Sequence, residues 1–442
     1  MKYIVFFIAL VFGVPIGYQL AMNNKKIENF VFFLAIFFTV KNISINFISR
    51  EWLRGTSRGF EISMVDLAVL ILFLIVLRRK NLYPLKIFPP GSFLYFLYVA
   101  FSFMSIINSS MPLMSLFELW KMLKMYGYYW VLYHYIVEPK QFELFMRFVA
   151  ILTIYIGLIV LKQKYIDGIF QCYGPFDHQN SMVMYLIIFN SLTFSYLLNT
   201  KKIRLPFWLF VLGLGSVSIV SSLSRAGLAL FGFSCVFILL ISYGTGFSVK
   251  KLGVTFLLIL GGVILLLRAM DSIVERFDSA PEASKNTRIF LAIAAQKMAN
   301  DKTLGIGLNN FGQAIKEDKY NSHIEVEERP DDPDYVPMQY ILVETVYMMI
   351  AAETGWHNLA IFLLFLWLFY FRNLGLIGKL KKTELQYFAI GLAGGLLAIY
   401  LESALEWVLK QVNNMYQLFM IFAMISAAAK IEKNRSARLA LK

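Results

Sequence analysis

The sequence predicts an all-α polytopic membrane protein, and three observations carry that prediction. Of its 442 residues, 58% are hydrophobic and only 16% charged, with a mean hydropathy of +0.63. So much apolar surface exceeds what a protein surrounded by water can bury, and it calls for lipid contact. The apolar residues fall in about thirteen runs of membrane-spanning length. The net charge of +14 is gathered into short basic clusters between those runs, which is how such chains set their orientation and not the basic face that nucleic acid requires.

In chain order the runs lie near 4–22, 28–47, 62–77, 91–107, 115–137, 142–161, 180–198, 205–222, 226–247, 251–268, 357–372, 386–404 and 412–430. The first follows a single Lys2 and lacks a small-residue cleavage site, so it reads as a retained helix and not a signal peptide. The connectors Asn23–Lys26, Arg78–Lys86, Pro139–Lys140, Lys201–Arg204, Lys250–Lys251 and Lys379–Lys382 are basic, as is the tail from Lys430. All fall on one side if the runs alternate, and the positive-inside rule makes that side the cytoplasm. The N-terminus is then outside and the C-terminus cytoplasmic. Three parts result: N-terminal transmembrane helices over 1–268, a large outer loop over 269–356, and C-terminal helices with a basic tail over 357–442. Cys172 and Cys235 lie in or beside apolar runs and form no disulfide or metal pattern.

The loop is unlike the rest of the chain. It holds about half of the 28 acidic residues, and a connection this long is usually functional or disordered. Periodic patches argue for folding. Asn286 or Thr287 caps an amphipathic helix with Arg288 in its first turn, ending before Gly305 and Gly307, which permit a tight turn. This helix either roofs a polar basin at the membrane surface or simply packs on neighbouring loops. A second helix is expected from about Met338 to Thr354, with Glu344, Tyr347 and Ala351 on one face. The run Asp331–Asp334, interleaved with proline, reads as a solvated acidic loop and not a metal site.

Several arginines sit on the outer side against the topological bias: Arg50, Arg54 and Arg58 between the second and third runs, Arg225 at the start of the ninth, and Arg276, Arg288 and Arg329 in the loop. Each alone can snorkel or pair with an acid. As a set they fit a phosphate-bearing ligand, because guanidinium binds phosphate oxygens in bidentate fashion and stays charged. Asp66, Glu118, Lys121, Lys162, Lys164, Asp177, His178, Glu402 and Glu406 gather at the same predicted ends. They imply an outward-facing basin more than a path across the membrane, although Glu118 and Lys121 can also simply pair along one helix.

At these residues the chain resembles the O-antigen ligase and O-antigen polymerase family of bacterial envelope glycosyltransferases, from about residue 170 onward. Gly174–Asn180 (GPFDHQN) resembles the family's G-x-F-x-H-x-N segment, and Ser224–Gly227 (SRAG) its Ser-Arg-x-Gly segment. Arg288–Phe311 resembles its arginine-led loop helix followed by P-L-x-G-x-G-x-x-x-F. Val343–Gly355 resembles its H-N-x-Y-L-x-x-L-A-E-x-G segment. The resemblance implies an inverting, metal-independent transferase without a cofactor. Its donor would be a saccharide on a polyprenyl diphosphate, its acceptor a glycan or lipid-linked hydroxyl, and its place the bacterial inner membrane among lipids. A chain-length regulator and a flippase are the protein partners implied. By motif position Arg225 and Arg288 inherit the diphosphate role, while Glu344 stands where the family has its histidine base. Either Glu344 replaces that base or His323 supplies the imidazole. His178, Asn180, Tyr347 and Arg50, Arg54 and Arg58 are the expected substrate-binding residues. The Glu344 departure favours a polymerase of exopolysaccharide or O-antigen type. The alternatives are a ligase moving finished glycan to a lipid or protein, and a non-catalytic glycolipid transporter.

Overall fold

The computed structural model describes residues 2–50, 52, 54–200, 204–278, 282–322, 342–380 and 383–440. It is 77% helical with almost no sheet. The helices begin with α1 (Lys2–Ile8) and α2 (Val14–Asn23), joined by a π-turn over Ala9–Gly13, then α3 (Lys25–Val40), α4 (Met64–Arg78), α5 (Ser92–Met104) and α6 (Pro112–Tyr135). The middle of the chain forms α7 (Lys140–Tyr165), α8 (Gln179–Asn199), α9 (Leu205–Ser221), α10 (Arg225–Gly244) and α11 (Val249–Asp278). The loop carries α12 (Glu282–Asp301), α13 (Phe311–Ala314), α14 (Asp318–Asn321) and α15 (Val346–Thr354), and the chain closes with α16 (Trp356–Lys379), α17 (Glu384–Glu402) and α18 (Val412–Ala440).

Each expected run falls on a helix, but the count of about thirteen spans is not reproduced as such. Among the described residues eight helices are long and apolar enough to cross a membrane, and two more, Ser92–Asn108 and Leu205–Ser221, are apolar but shorter. The expected ends at 47 and 62 are also corrected. Residues 44–47 and 60–63 form an antiparallel hairpin, β1 (Ser44–Phe47) and β2 (Phe60–Ser63), with Asn46 opposite Glu61. The alternation in Ile43, Ile45 and Phe47 is that of a strand, and a span-length hydropathy window cannot separate it from the helix before it.

The helices sort by burial. α8 is enclosed almost completely, α17 and α18 nearly so, whereas α11, α10 and the α1–α2 pair show most of their surface to lipid. Small residues let the central helices touch. Ser191 on α8 and Ser234 on α10 share a hydroxyl hydrogen bond of 2.6 Å, and Gly391 and Gly394 on α17 bring its backbone against Leu192 and Ser234. Close backbone approach through small residues is how helices associate where lipid removes the hydrophobic drive.

Two loop expectations shift. The first loop helix starts at least by Glu282, so Arg288 lies in its second turn, and 286–287 do not cap it. The second starts only at Val346, leaving Glu344 in an irregular segment before it and not on a shared face with Tyr347. The first helix packs inward: Leu291, Ala294, Ala295 and Met298 share a core with Ile306, Phe311 and Met349. The expected glycine turn is present, Gly305 at φ +70 and Gly307 at φ +109, both backed against neighbouring backbone where a Cβ has no room. His323, Arg329, Asp331–Asp334 and Met338–Tyr340 lie outside the described residues.

Candidate functional site

At one end of the bundle the α3–α4, α7–α8, α9–α10 and α17–α18 connections meet the loop helices around a cavity of about 990 Å³. That is the upper end of ordinary ligand pockets. Arg58, His178, Asn180, Arg225, Arg288 and Glu344 all line it. Six of the residues expected from sequence are thereby brought together from five separate segments. Arg50 and Arg54 do not line it: Arg50 is exposed and bonds through its backbone to Arg58, and Arg54 packs its backbone against Gly312. Tyr347 turns away into the bundle, donating to the Tyr400 carbonyl at 2.6 Å.

Local chemistry explains each position. Ser224 caps α10 by accepting from the Gly227 amide, which puts Arg225 in the first turn at the cavity edge. Gly227 is needed because Val183 of α8 lies where its Cβ would be. His178 caps α8, its Nδ1 accepting from the Asn180 amide at 3.3 Å. Desolvation and the nearby Arg288 hold its imidazole below the ordinary value.

Arg288 is the centre of the constellation. Its guanidinium contacts Glu344 through Nε and Glu406 through Nη2 at 2.8 Å. Burial and the neighbouring Glu406 raise the Glu344 carboxyl to about 7, with Arg288 acting in the opposite sense. Burial raises Glu406 too, against Arg288 and a hydrogen bond from Asn180. Two carboxylates sharing one cation cannot both stay fully ionised cheaply. A carboxyl poised near neutrality can take a proton from a hydroxyl, and an arginine beside it can hold an oxyanion.

Beneath this surface lies a second, buried cluster that meets the cavity at Lys121. Glu118 Oε2 contacts Lys121 Nζ at 2.7 Å and accepts from Ser57 and Thr56, while Lys410 Nζ reaches Glu118 Oε1 at 3.3 Å and Glu353 Oε2 at 3.6 Å. All four charged side chains are at most 5% exposed. The expected Glu118–Lys121 pair is therefore real, but it belongs to a four-charge network that pins α6, α15 and the segment before α18 together. Asn309 adds a further tie, accepting from the Thr56 amide at 2.7 Å and donating to the Ser57 and Met114 carbonyls. Lys410, Trp120, Lys124, Asn42, Asn46 and Glu61 were not singled out by sequence reasoning. The one signal for Asn42 and Asn46 was the polar–apolar alternation of NISINF.

Fold and site together define a multi-pass membrane protein with an arginine- and carboxylate-lined cavity at one end of its helices. Residues 209–362, from within α9 into α16, match the family model described as O-Antigen ligase. The match covers about a third of the chain and supports the resemblance expected from the motifs, to proteins of O-antigen ligase and polymerase type. The match takes in Arg225, Arg288 and Glu344 and leaves out the Gly174–Asn180 segment and the hairpin. No curated protein matches the chain.

Proposed function

We propose that the protein polymerises saccharide repeat units carried on a polyprenyl diphosphate, as an inverting glycosyltransferase at the outer face of a bacterial inner membrane. The observation that carries this reading is Arg288 held between Glu344 and Glu406 in a cavity that Arg225 also lines. In the proposed step Arg225 and Arg288 grip the donor diphosphate. An acceptor hydroxyl attacks the anomeric carbon from the opposite face. The new C–O bond forms as the bond to the phosphate oxygen breaks, and polyprenyl diphosphate departs with its charge held by the guanidinium groups. Glu344 receives the hydroxyl proton and returns it to solvent. Arg58, His178 and Asn180 contact the substrates around this centre. The polymerase reading is preferred to the ligase one because Glu344 stands where the family has its histidine.

By this reading 1–268 and 357–442 are the membrane parts, 269–356 is the exported loop, and the basic connectors face the cytoplasm. The test is purified protein with a polyprenyl-diphosphate-linked repeat unit. Wild type is expected to release polyprenyl diphosphate and lengthen the glycan, and Arg288→Ala and Glu344→Gln to do neither. Wild-type protein that releases no diphosphate would end the proposal. In a deletion strain, single repeat units left on the carrier support the polymerase, and long chains left on it support a ligase.

A further inference from the structure

The cavity has two walls of different chemistry, and only one belongs to the family-matched segment. Arg225, Arg288 and Glu344 lie on that wall. The hairpin with its connection and α6 contribute Asn42, Asn46, Arg58, Glu61, Trp120, Lys121 and Lys124. The hairpin is two-faced. Ile45, Phe47 and Ile62 pack with Phe6, Val14 and Leu67, so the period of two sends Asn46 and its cross-strand partner Glu61 to the other face, toward the cavity.

We infer that this hairpin wall binds a pyranose ring of the acceptor glycan. The inference rests on the proposed transferase reading and names the acceptor half of that site. Its amide, carboxylate and indole groups suit a hydroxyl-rich ring. Asn42 Nδ2 donates to Glu61 Oε1 at 2.9 Å, which fixes both side chains and leaves the Asn42 carbonyl and Glu61 Oε2 to accept from hydroxyls. The Asn46 side-chain amide makes no hydrogen bond among the described residues and offers both a donor and an acceptor. Trp120 supplies an indole platform for the C–H face of a ring. Its Nε1 donates to the Glu61 carbonyl at 2.9 Å and its edge meets Phe60, so the ring is held in place before any ligand arrives. Of the cations on this side, Lys124 is answered by Asp66 at 2.9 Å and Lys121 by Glu118 at 2.7 Å, while Arg58 lines the cavity from the connection between the two strands.

The test uses the full-length protein in detergent micelles and two probes by saturation-transfer NMR: inorganic pyrophosphate by ³¹P line broadening, and methyl glycosides of glucose, galactose, N-acetylglucosamine and rhamnose by proton difference spectra. At least one glycoside is expected to bind wild type. Asn46→Ala and Trp120→Leu are expected to weaken it about ten-fold, as loss of one or two well-made contacts does. Pyrophosphate binding should be unchanged in both variants, which also shows that they are folded, and should be lost in Arg288→Ala. Glu61→Gln, isosteric, should weaken the glycoside by a smaller factor. Pyrophosphate binding with no glycoside bound, or glycoside binding indifferent to all three hairpin-wall variants, overturns this inference alone. Pyrophosphate that fails to bind, or that ignores Arg288→Ala, counts instead against the transferase reading beneath it.

Discussion

Two charged clusters lie close together at the same end of this molecule, and they differ in almost every physical respect. The upper one has Arg288 between Glu344 and Glu406, with the guanidinium 42% exposed and facing a large cavity. The lower one has two lysines and two glutamates buried from solvent and tied by hydroxyls and backbone carbonyls. Burial raises the Glu353 carboxyl, and it would lower the Lys410 amine, yet Tyr98, Glu118 and Glu353 hold that amine above its ordinary value. In the enclosed cluster the charges face one another, although Glu353 Oε2, 3.6 Å from Lys410 Nζ, takes no hydrogen bond among the described residues. In the open one a cation and a carboxyl near neutrality remain within reach of a ligand. Charge that is enclosed holds the architecture, and charge that is exposed in a cavity is available for chemistry.

That contrast can be broken at either cluster. The largest effect is expected at Lys410→Ala, which strands the buried Glu353 and leaves Glu118 with Lys121 alone of its two lysines. Removing one partner of a buried ionic network costs about 3–5 kcal/mol, so the protein should fail to accumulate or unfold far earlier in a thermal scan. Next comes Arg288→Ala. Loss of an oxyanion-holding group should lower turnover about 10²–10³-fold, with the thermal midpoint nearly unmoved because the guanidinium is part-exposed. If Arg288→Ala instead unfolded the protein while Lys410→Ala only slowed it, the contrast drawn here would be reversed.

The pH dependence sharpens the same point. Glu344 must be ionised to accept a proton, so kcat/KM should climb with pH and level off above about 7. Its folded-state value lies above the ordinary 4.5, so the folded protein holds the extra proton between roughly 4.5 and 7. The stability this residue contributes is therefore present at low pH and lost as pH rises through that window. Thermal midpoints of wild type and Glu344→Gln measured at pH 5 and pH 8 should converge on the acid side, with Glu344→Gln the more stable on the alkaline side. The smallest contrast separates the outer arginines. Arg58 lines the cavity and Arg54 does not, so Arg58→Ala should lower turnover severalfold, and Arg54→Ala by less than about two-fold, as for an ordinary surface change.

How much of this was legible beforehand depends on the range of the interaction. Helix positions were readable because an apolar run long enough to span has few alternatives in lipid. The Gly305–Gly307 turn was readable because positive φ leaves a glycine signature. The hairpin was not, since four-residue strands vanish inside a window of span length. Nor was the true start of α15, whose preceding residues carry no cap that differs from the helix pattern. Among the site residues, Arg225, Arg288 and Glu344 stood out by charge against topology and by motif, whereas Asn46, Trp120 and Lys410 look ordinary in their local surroundings.

The sequence by itself determined the membrane class, the helical content, a family resemblance and a short roster of charged residues, because hydropathy and motif spacing are properties of neighbours along the chain. Only the tertiary structure decided which charges meet. Arg288 faces Glu406 across 118 positions and Glu118 faces Lys410 across 292. Contacts over such separations are set by how helices pack and where turns aim, and they alone distinguish an enclosed ionic lock from an open one.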